Sequence, residues 1–120
     1  MSPAPKPHLA VEVVDGVAVV SFLEKQILKE EKVDEIREQI SRLIGDGGHN
    51  KVLLNLGNLE YVISMFLATL MNVHKRLAEA GGQFRICNVD HHDIQELLKT
   101  YNYVTFLNID KDEVTALAKF

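Results

Sequence analysis

Ser64 is the residue of this 120-residue chain with the clearest prospect of chemistry. It follows the β-rich run 59–63 and opens a helical segment reaching to about Ala80. Serine suits a helix start because its hydroxyl accepts a hydrogen bond from a free backbone N–H of the first turn. The same place suits a phosphate, which both the free N–H groups and the positive end of the helix dipole attract. Phosphorylation there would add roughly −1.5 to −2 charge to the surrounding surface. Ser64 is therefore read in two ways, as an N-cap or as a phosphoacceptor.

Met65 and Phe66 come next. Two bulky apolar residues at a helix start, beside a loop, cannot easily both point inward. Either one fills the core while the other covers the loop, or they form an apolar patch on which a partner docks. Methionine adapts well to varied partners.

Other groups carry weaker chemistry. His91 and His92, flanked by Asp90 and Asp93, suggest a metal, but neighbouring side chains on a helical turn diverge by about 100°. Zinc ligands use wider spacing, so a solvated helix start is expected and no metal. Cys87 falls on a strand, where a buried, inert thiol is the default; His91, four residues on, permits activation without supporting it. Glu30, Glu31, Asp34, Glu35 and Glu38 share the polar side of a helix and read as a solvated face or an acidic contact surface. Gly45-Asp46-Gly47-Gly48 ends that helix and is too short to cradle a phosphate. No nucleotide-binding glycine motif, metalloprotease pair, nucleophile elbow or carboxylate pair for acid–base work is present. Neither enzyme nor cofactor is expected.

The elements that must position these residues alternate. Leu9, Val11 and Val13 alternate as in a strand, Asp15-Gly16 is a hairpin turn signal, and the run 17–22 is almost continuously apolar, marking the more buried strand. Val33, Ile36, Ile40, Leu43 and Ile44 place one stripe on an amphipathic helix over about 29–44. Val52 to Leu56 reads as a central strand. The helix opened by Ser64 carries Met65, Phe66, Leu67, Leu70, Met71, Val73 and Leu77 on several sides, so it is buried or meets a partner. The run 84–89 is a further strand. A short helix to Lys99, capped by Asp90 or a neighbour, carries Ile94, Leu97 and Leu98. A last β-rich run spans 103–109, and Asp110 is placed to cap a terminal helix carrying Val114 and Leu117. The order is ββαβαβαβα, an α/β fold with a four- to five-stranded mixed sheet, mostly parallel after the first hairpin, with helices packed on it.

Composition narrows the class. The length suits one domain, and 47% apolar residues suffice for one core. A net charge of −4 with scattered Lys and Arg argues against nucleic acid as a partner. One cysteine excludes an internal disulfide and fits a reducing compartment. No run approaches the roughly 20 apolar residues of a membrane span, and the first seven residues hold all three prolines and no apolar signal core. The expected organisation is a flexible tail over 1–7 and one domain over 8–120, cytoplasmic and without a membrane partner.

The stretch Val52-Leu53-Leu54-Asn55-Leu56-Gly57-Asn58-Leu59-Glu60-Tyr61-Val62 resembles the central strand and following turn of the STAS family, the anti-sigma factor antagonist type. Gly81-Gly82-Gln83-Phe84-Arg85-Ile86-Cys87 is similar to the family's paired glycines and next strand. The resemblance spans roughly 9–118. Where the family carries Asp-Ser-Ser-Gly-Leu-Gly, this chain reads Ile63-Ser64-Met65-Phe66-Leu67-Ala68, so the switch motif is altered around Ser64. The resemblance implies a protein–protein interaction module that regulates transcription. Its partner would be an anti-sigma factor or serine kinase, or another STAS chain, a second copy of itself included. It implies Ser64 as phosphoacceptor and Asn58, Tyr61, Ile63, Ser64, Met65 and Phe66 as the partner-binding surface. The alternatives are a scaffold without a phosphoswitch, or a small ligand-binding or enzymatic domain on the same fold.

Overall fold

The computed structural model describes residues 7–120. Of the tail expected at 1–7, residues 1–6 lie outside the described residues and Pro7 is exposed. Strands β1 (Leu9–Val14) and β2 (Val17–Phe22) form the hairpin. Asp15 and Gly16 hold φ of 51° and 81°, the pair of positive values that a two-residue type I′ turn needs and that Asp-Gly accepts cheaply.

Strand β3 (Gln26–Ile27) precedes helix α1 (Glu30–Gly45). Then follow β4 (Lys51–Asn55), β5 (Tyr61–Val62), helix α2 (Ser64–Glu79) and β6 (Gln83–Cys87). Helix α3 (His92–Thr100), β7 (Ile109–Asp110) and α4 (Glu113–Leu117) complete the chain. The main sheet runs β1-β2-β4-β6-β7, antiparallel in the hairpin and parallel elsewhere. The expected α/β fold is observed, with five strands.

Side-chain alternation splits the core between the two faces of the sheet. Ala18, Val20, Phe22, Val52, Leu54, Phe84 and Ile86 pack against α1, α2 and α3, through residues such as Ile36, Ile40, Leu67, Leu70 and Ile94. Val17, Val19, Leu53 and Cys87 face the other way, under Ala116, Leu117 and Phe120. Covering on both faces explains why β2 reads as a continuous apolar run and buries all its residues but Ser21, which is partly buried. Strand β1 lies at the sheet edge, and Val11 and Val13 stay largely exposed.

Three local expectations are corrected. The run 103–109 is not one strand: Tyr103–Thr105 is a 3-10 turn and only Ile109–Asp110 pairs with β6. Tyr103, Val104, Thr105 and Phe106 have strand-favouring side chains, but the αL conformation of Asn102 turns the chain into the 3-10 turn instead. Asp110 does not cap α4. Asp112 does, accepting from the Thr115 N–H at 2.8 Å, while Asp110 is buried against Arg85 at 2.6 Å and Lys119 at 2.6 Å. Helix α1 includes Gly45 rather than ending before it, and Asp46 is its C-cap. For α3 the neighbour of Asp90 is the cap: the His91 ring accepts from the Asp93 N–H at 3.4 Å.

Candidate functional site

The amino end of α2 is built by loops rather than by the sheet. Beyond β4, the Asn55 side chain accepts from the Gly57 N–H at 2.8 Å, and the Leu59 N–H donates to Leu56 O at 3.0 Å. The Asn58 amide then donates to the carbonyls of Phe22 at 2.9 Å and Glu24 at 3.3 Å. Asn58 thus ties the loop after β4 to the loop after β2. The Glu60 and Tyr61 N–H groups both meet the Lys25 carbonyl, at 2.7 and 3.3 Å. Strands β3 and β5 pair in parallel, Gln26 opposite Tyr61 and Ile27 opposite Val62, and the Ile63 N–H donates to Ile27 O at 3.0 Å. Two-residue strands are too short for a periodicity to show, so this second small sheet was invisible in the sequence.

Helix α2 starts when the Phe66 N–H reaches Ile63 O at 3.0 Å. Ile63 is therefore the cap residue, in an extended conformation, and no side-chain cap bond closes this terminus. The expected capping role of Ser64 is not observed, because Ser64 is already the first helical residue, one position too late. It is exposed. The first turn of α2 carries no acidic residue, so the positive end of the helix dipole is uncompensated by its own turn.

The six residues expected at the docking surface divide. Tyr61 is 43% exposed, and its ring lies 5.2 Å from that of His91. Asn58 and Ser64 are exposed, and Ile63 and Met65 are partly buried against the core. Phe66 is the correction: it is 0% exposed, set edge-on to Phe22. Of the two readings of Met65-Phe66, Phe66 fills the core, and it offers no surface to a partner. Leu23 and Leu28, 54% and 52% exposed, flank the loop that holds Asn58 and β5. Sequence reasoning missed both. Their signal was faint: two apolar residues that fit neither the alternation of β2 nor the stripe of α1.

Glu24, whose carbonyl receives the Asn58 amide, belongs to a charged knot. The ring of His8 sits between Glu24 and Glu35, at 2.5 Å from the latter, and Lys32 also pairs with Glu24. Burial pushes the Glu24 carboxyl up, but its bonds to Lys32 and His8 together outweigh that and hold it low. The acidic side of α1 is thus partly neutralised: Glu35 serves His8, Asp34 pairs with Arg37 at 2.7 Å, and Glu38 pairs with Arg42 at 2.6 Å.

Cys87 is wholly buried. Burial, and then the charges of Glu113, Asp110, Asp112 and Asp90, push its thiol up to about 12, far from a reactive thiolate. His91 is engaged as the α3 cap, and His92 is exposed near Glu96 at 4.0 Å. Among the described residues, no group of three His, Cys, Asp or Glu side chains is placed to hold a metal ion, and no helix is long and apolar enough to cross a membrane.

A five-stranded mixed sheet with three helices on one face, and a second helix whose start is presented by loops, defines an α/β domain architecture. Residues 8–116 match the STAS domain, and the chain belongs to the STAS family. A Bordetella bronchiseptica protein named as an anti-sigma factor antagonist, BtrV, is 20% identical over 112 residues, covering 93% of each chain. The crystal structure of an anti-sigma factor antagonist from Mycobacterium paratuberculosis superposes with a TM-score of 0.80 at 19% identity, covering 92% of this chain and 91% of that one. The Bacillus cell fate determinant SpoIIAA in its phosphorylated form gives 0.68 at 17% identity, over 92% and 97%. At such identities these structures establish the fold.

Proposed function

We propose that this chain is a non-enzymatic docking module of the anti-sigma factor antagonist type. It binds an anti-sigma factor or serine kinase and so regulates transcription. The observation that carries the reading is the exposed Ser64 at an uncapped helix start three residues after exposed Tyr61, with exposed Leu23 and Leu28 on the segment whose β3 pairs with β5. Such a terminus accepts a flat apolar partner face when the hydroxyl is free. A phosphate there is held by the free N–H groups and places about two negative charges in the middle of the contact. The names of the relatives support the partner class, and SpoIIAA is described in both unphosphorylated and phosphorylated forms.

The altered motif around Ser64 shapes the switch. Met65 stands where the family has a second small residue, so a kinase reaches the hydroxyl past a thioether. The reading is tested by recovering partners from the source organism on immobilised chain, then repeating with Ser64→Ala and Ser64→Asp. Capture of an anti-sigma factor or kinase, lost with Asp and kept with Ala, is the expected result. Equal binding of the two variants refutes the switch, and recovery of neither partner class refutes the function. An enzymatic alternative would draw on a polar cleft at Cys87 and His91. Neither residue lines the cavities bounded by His74 and Arg85, by Gln95 and Leu98, or by Glu35 and Arg42.

A further inference from the structure

The other end of α2 carries a cavity of about 240 Å³, lined by His74, Gln83, Phe84, Arg85, Asn108 and Lys119 among others. His74 follows Ser64 by ten residues, about 15 Å along the helix axis, so this cavity is separate from the docking face. Its walls are polar for a structural reason. Strand β7 is only two residues long and pairs with Ile86 and Cys87, which leaves the first half of β6 without a strand neighbour on that side.

Three features of the walls point to a ligand of one chemistry. The first is charge. Arg85 and Lys119 both bind the single carboxylate of Asp110, Arg85 through two nitrogens at 2.6 and 3.2 Å and Lys119 at 2.6 Å. Two cations on one anion leave a surplus positive charge and unspent N–H donors at the cavity wall. The second is an orphan. The Nδ1 of His74 is buried and finds no hydrogen-bond partner among the described residues, a state that native proteins rarely leave unexplained. The third is backbone. The Gln83 N–H turns to Asn50 on β4, and the Ile86 N–H turns to Asn108 on the β7 side. Strand alternation therefore turns the Phe84 N–H to the uncovered side, where the Asn108 amide reaches only the Phe84 carbonyl, at 3.4 Å.

We propose that this cavity binds a small molecule through an oxyanion, a carboxylate or a phosphate, held by Lys119, Arg85, the His74 ring and the Phe84 N–H. A carboxylate or phosphate oxygen accepts from charged donors and a backbone N–H together, and such charge-assisted bonds are about twice as strong as neutral ones. His74 lines the cavity beside these donors. Asp110 stays in place as the counter-charge that fixes both cations when the cavity is empty.

The test is a titration of isotope-labelled chain, followed by amide resonances, with inorganic phosphate in one arm and succinate in the other at constant ionic strength. Sodium chloride is the control. Saturable shifts confined to residues 83–86, Asn108 and the His74 ring are expected in at least one arm, and the arm that saturates tells phosphate from carboxylate. Lys119→Gln should weaken binding about tenfold, the loss of one charge-assisted bond, and His74→Leu should weaken it too. Both variants keep the Arg85–Asp110 pair, so an unchanged spectrum elsewhere shows that they fold. Shifts that match the chloride control in both arms would overturn the proposal. So would saturable binding that both variants retain at full strength.

Discussion

Phe66 meets Phe22 edge-on, with ring centroids 5.5 Å apart and planes at 84°. The pair joins the first turn of α2 to the last residue of β2. An edge-to-face contact places the positive rim of one ring against the negative face of the other. It pins the helix start that presents Ser64 from beneath. The surface proposed for docking and the core that supports it are thus adjacent in sequence: Ser64 outside, Phe66 inside.

Truncating the two sides of this helix start should therefore have opposite consequences. Phe66→Ala removes a wholly buried ring and is expected to cost about 3–5 kcal/mol. Tyr61→Ala touches a half-open ring and should stay within roughly 0.5–1 kcal/mol while weakening partner capture. Urea denaturation followed by circular dichroism separates the two.

Ser64 substitutions should scarcely unfold the chain. No side-chain cap is lost in Ser64→Ala, so the cost should fall below about 0.5 kcal/mol, short of the ~1 kcal/mol typical of a true cap. Ser64→Asp adds the acid that the first turn lacks and should stabilise by about 0.3–1 kcal/mol at low salt. Thermal melts at two salt concentrations test both, because the gain with Asp must shrink as salt rises. A large loss with Ala would show that the hydroxyl caps the helix after all.

Asp110 gives the fold an acid limb. Its bond to Arg85 holds its carboxyl below the usual range against the opposing effect of burial, and Lys119 adds to the depression. A group lowered in the folded state contributes fully above its unfolded value, about 3.9, and loses that contribution as pH falls toward and through the folded value. Stability of the parent chain should thus drop with acidification below about pH 5 more steeply than that of Asp110→Asn. At pH 7 the same substitution should cost about 2 kcal/mol. Fully buried pairs lose more when broken, but Arg85 keeps a fifth of its side chain in water. Urea midpoints from pH 7 downward give both quantities.

Cys87 should resist reagents in the folded chain. With its thiol raised to about 12 and no surface exposed, alkylation by iodoacetamide at pH 8 should follow unfolding rather than the reagent's intrinsic rate. Mass spectrometry with and without urea reads this directly. Rapid alkylation of native chain would mean that the face beneath α4 opens readily.

Gly82 is tolerated by no larger residue without movement. A Cβ there would lie 2.3 Å from the Asn50 carbonyl oxygen, the acceptor for the Gln83 N–H that starts the β4–β6 ladder. Gly82→Ala is expected to cost about 1–3 kcal/mol, in the range of overpacked sites. Its amide exchange should rise first along Gln83–Cys87. Gly48→Ala is the contrast: a Cβ there meets nothing within 4 Å, and only the φ of +68° is unfavourable.

Much of the fold was legible because its long elements carry strong periods. The stripe Val33, Ile36, Ile40 fixed α1, the Asp-Gly pair fixed the hairpin register, and the apolar run of β2 announced the more buried strand of the hairpin. These are local rules: a 3.6-residue or a 2-residue repeat, and a turn that only certain residues accept. The proposed docking face was legible only in part. Ser64 and Tyr61 stood out by type and place, but the two-residue strand β5 that carries Tyr61 and its partner β3 have no period to read.

What the sequence by itself determined is which faces are apolar, where α1 and α2 start within a residue, and that a hydroxyl stands at the head of the more apolar of the two long helices. Only the tertiary structure decided which of Met65 and Phe66 turns inward, that Ile63 caps α2, that Asp110 serves Arg85 and not α4, and that Leu23 and Leu28 stay exposed. Each of those outcomes depends on groups far apart in the chain: the Phe22 ring, the Ile27 carbonyl, the Arg85 guanidinium. Local pattern sets what a residue can do. Long-range packing chooses among the options, because a buried ring or charge is stable only where a distant partner receives it.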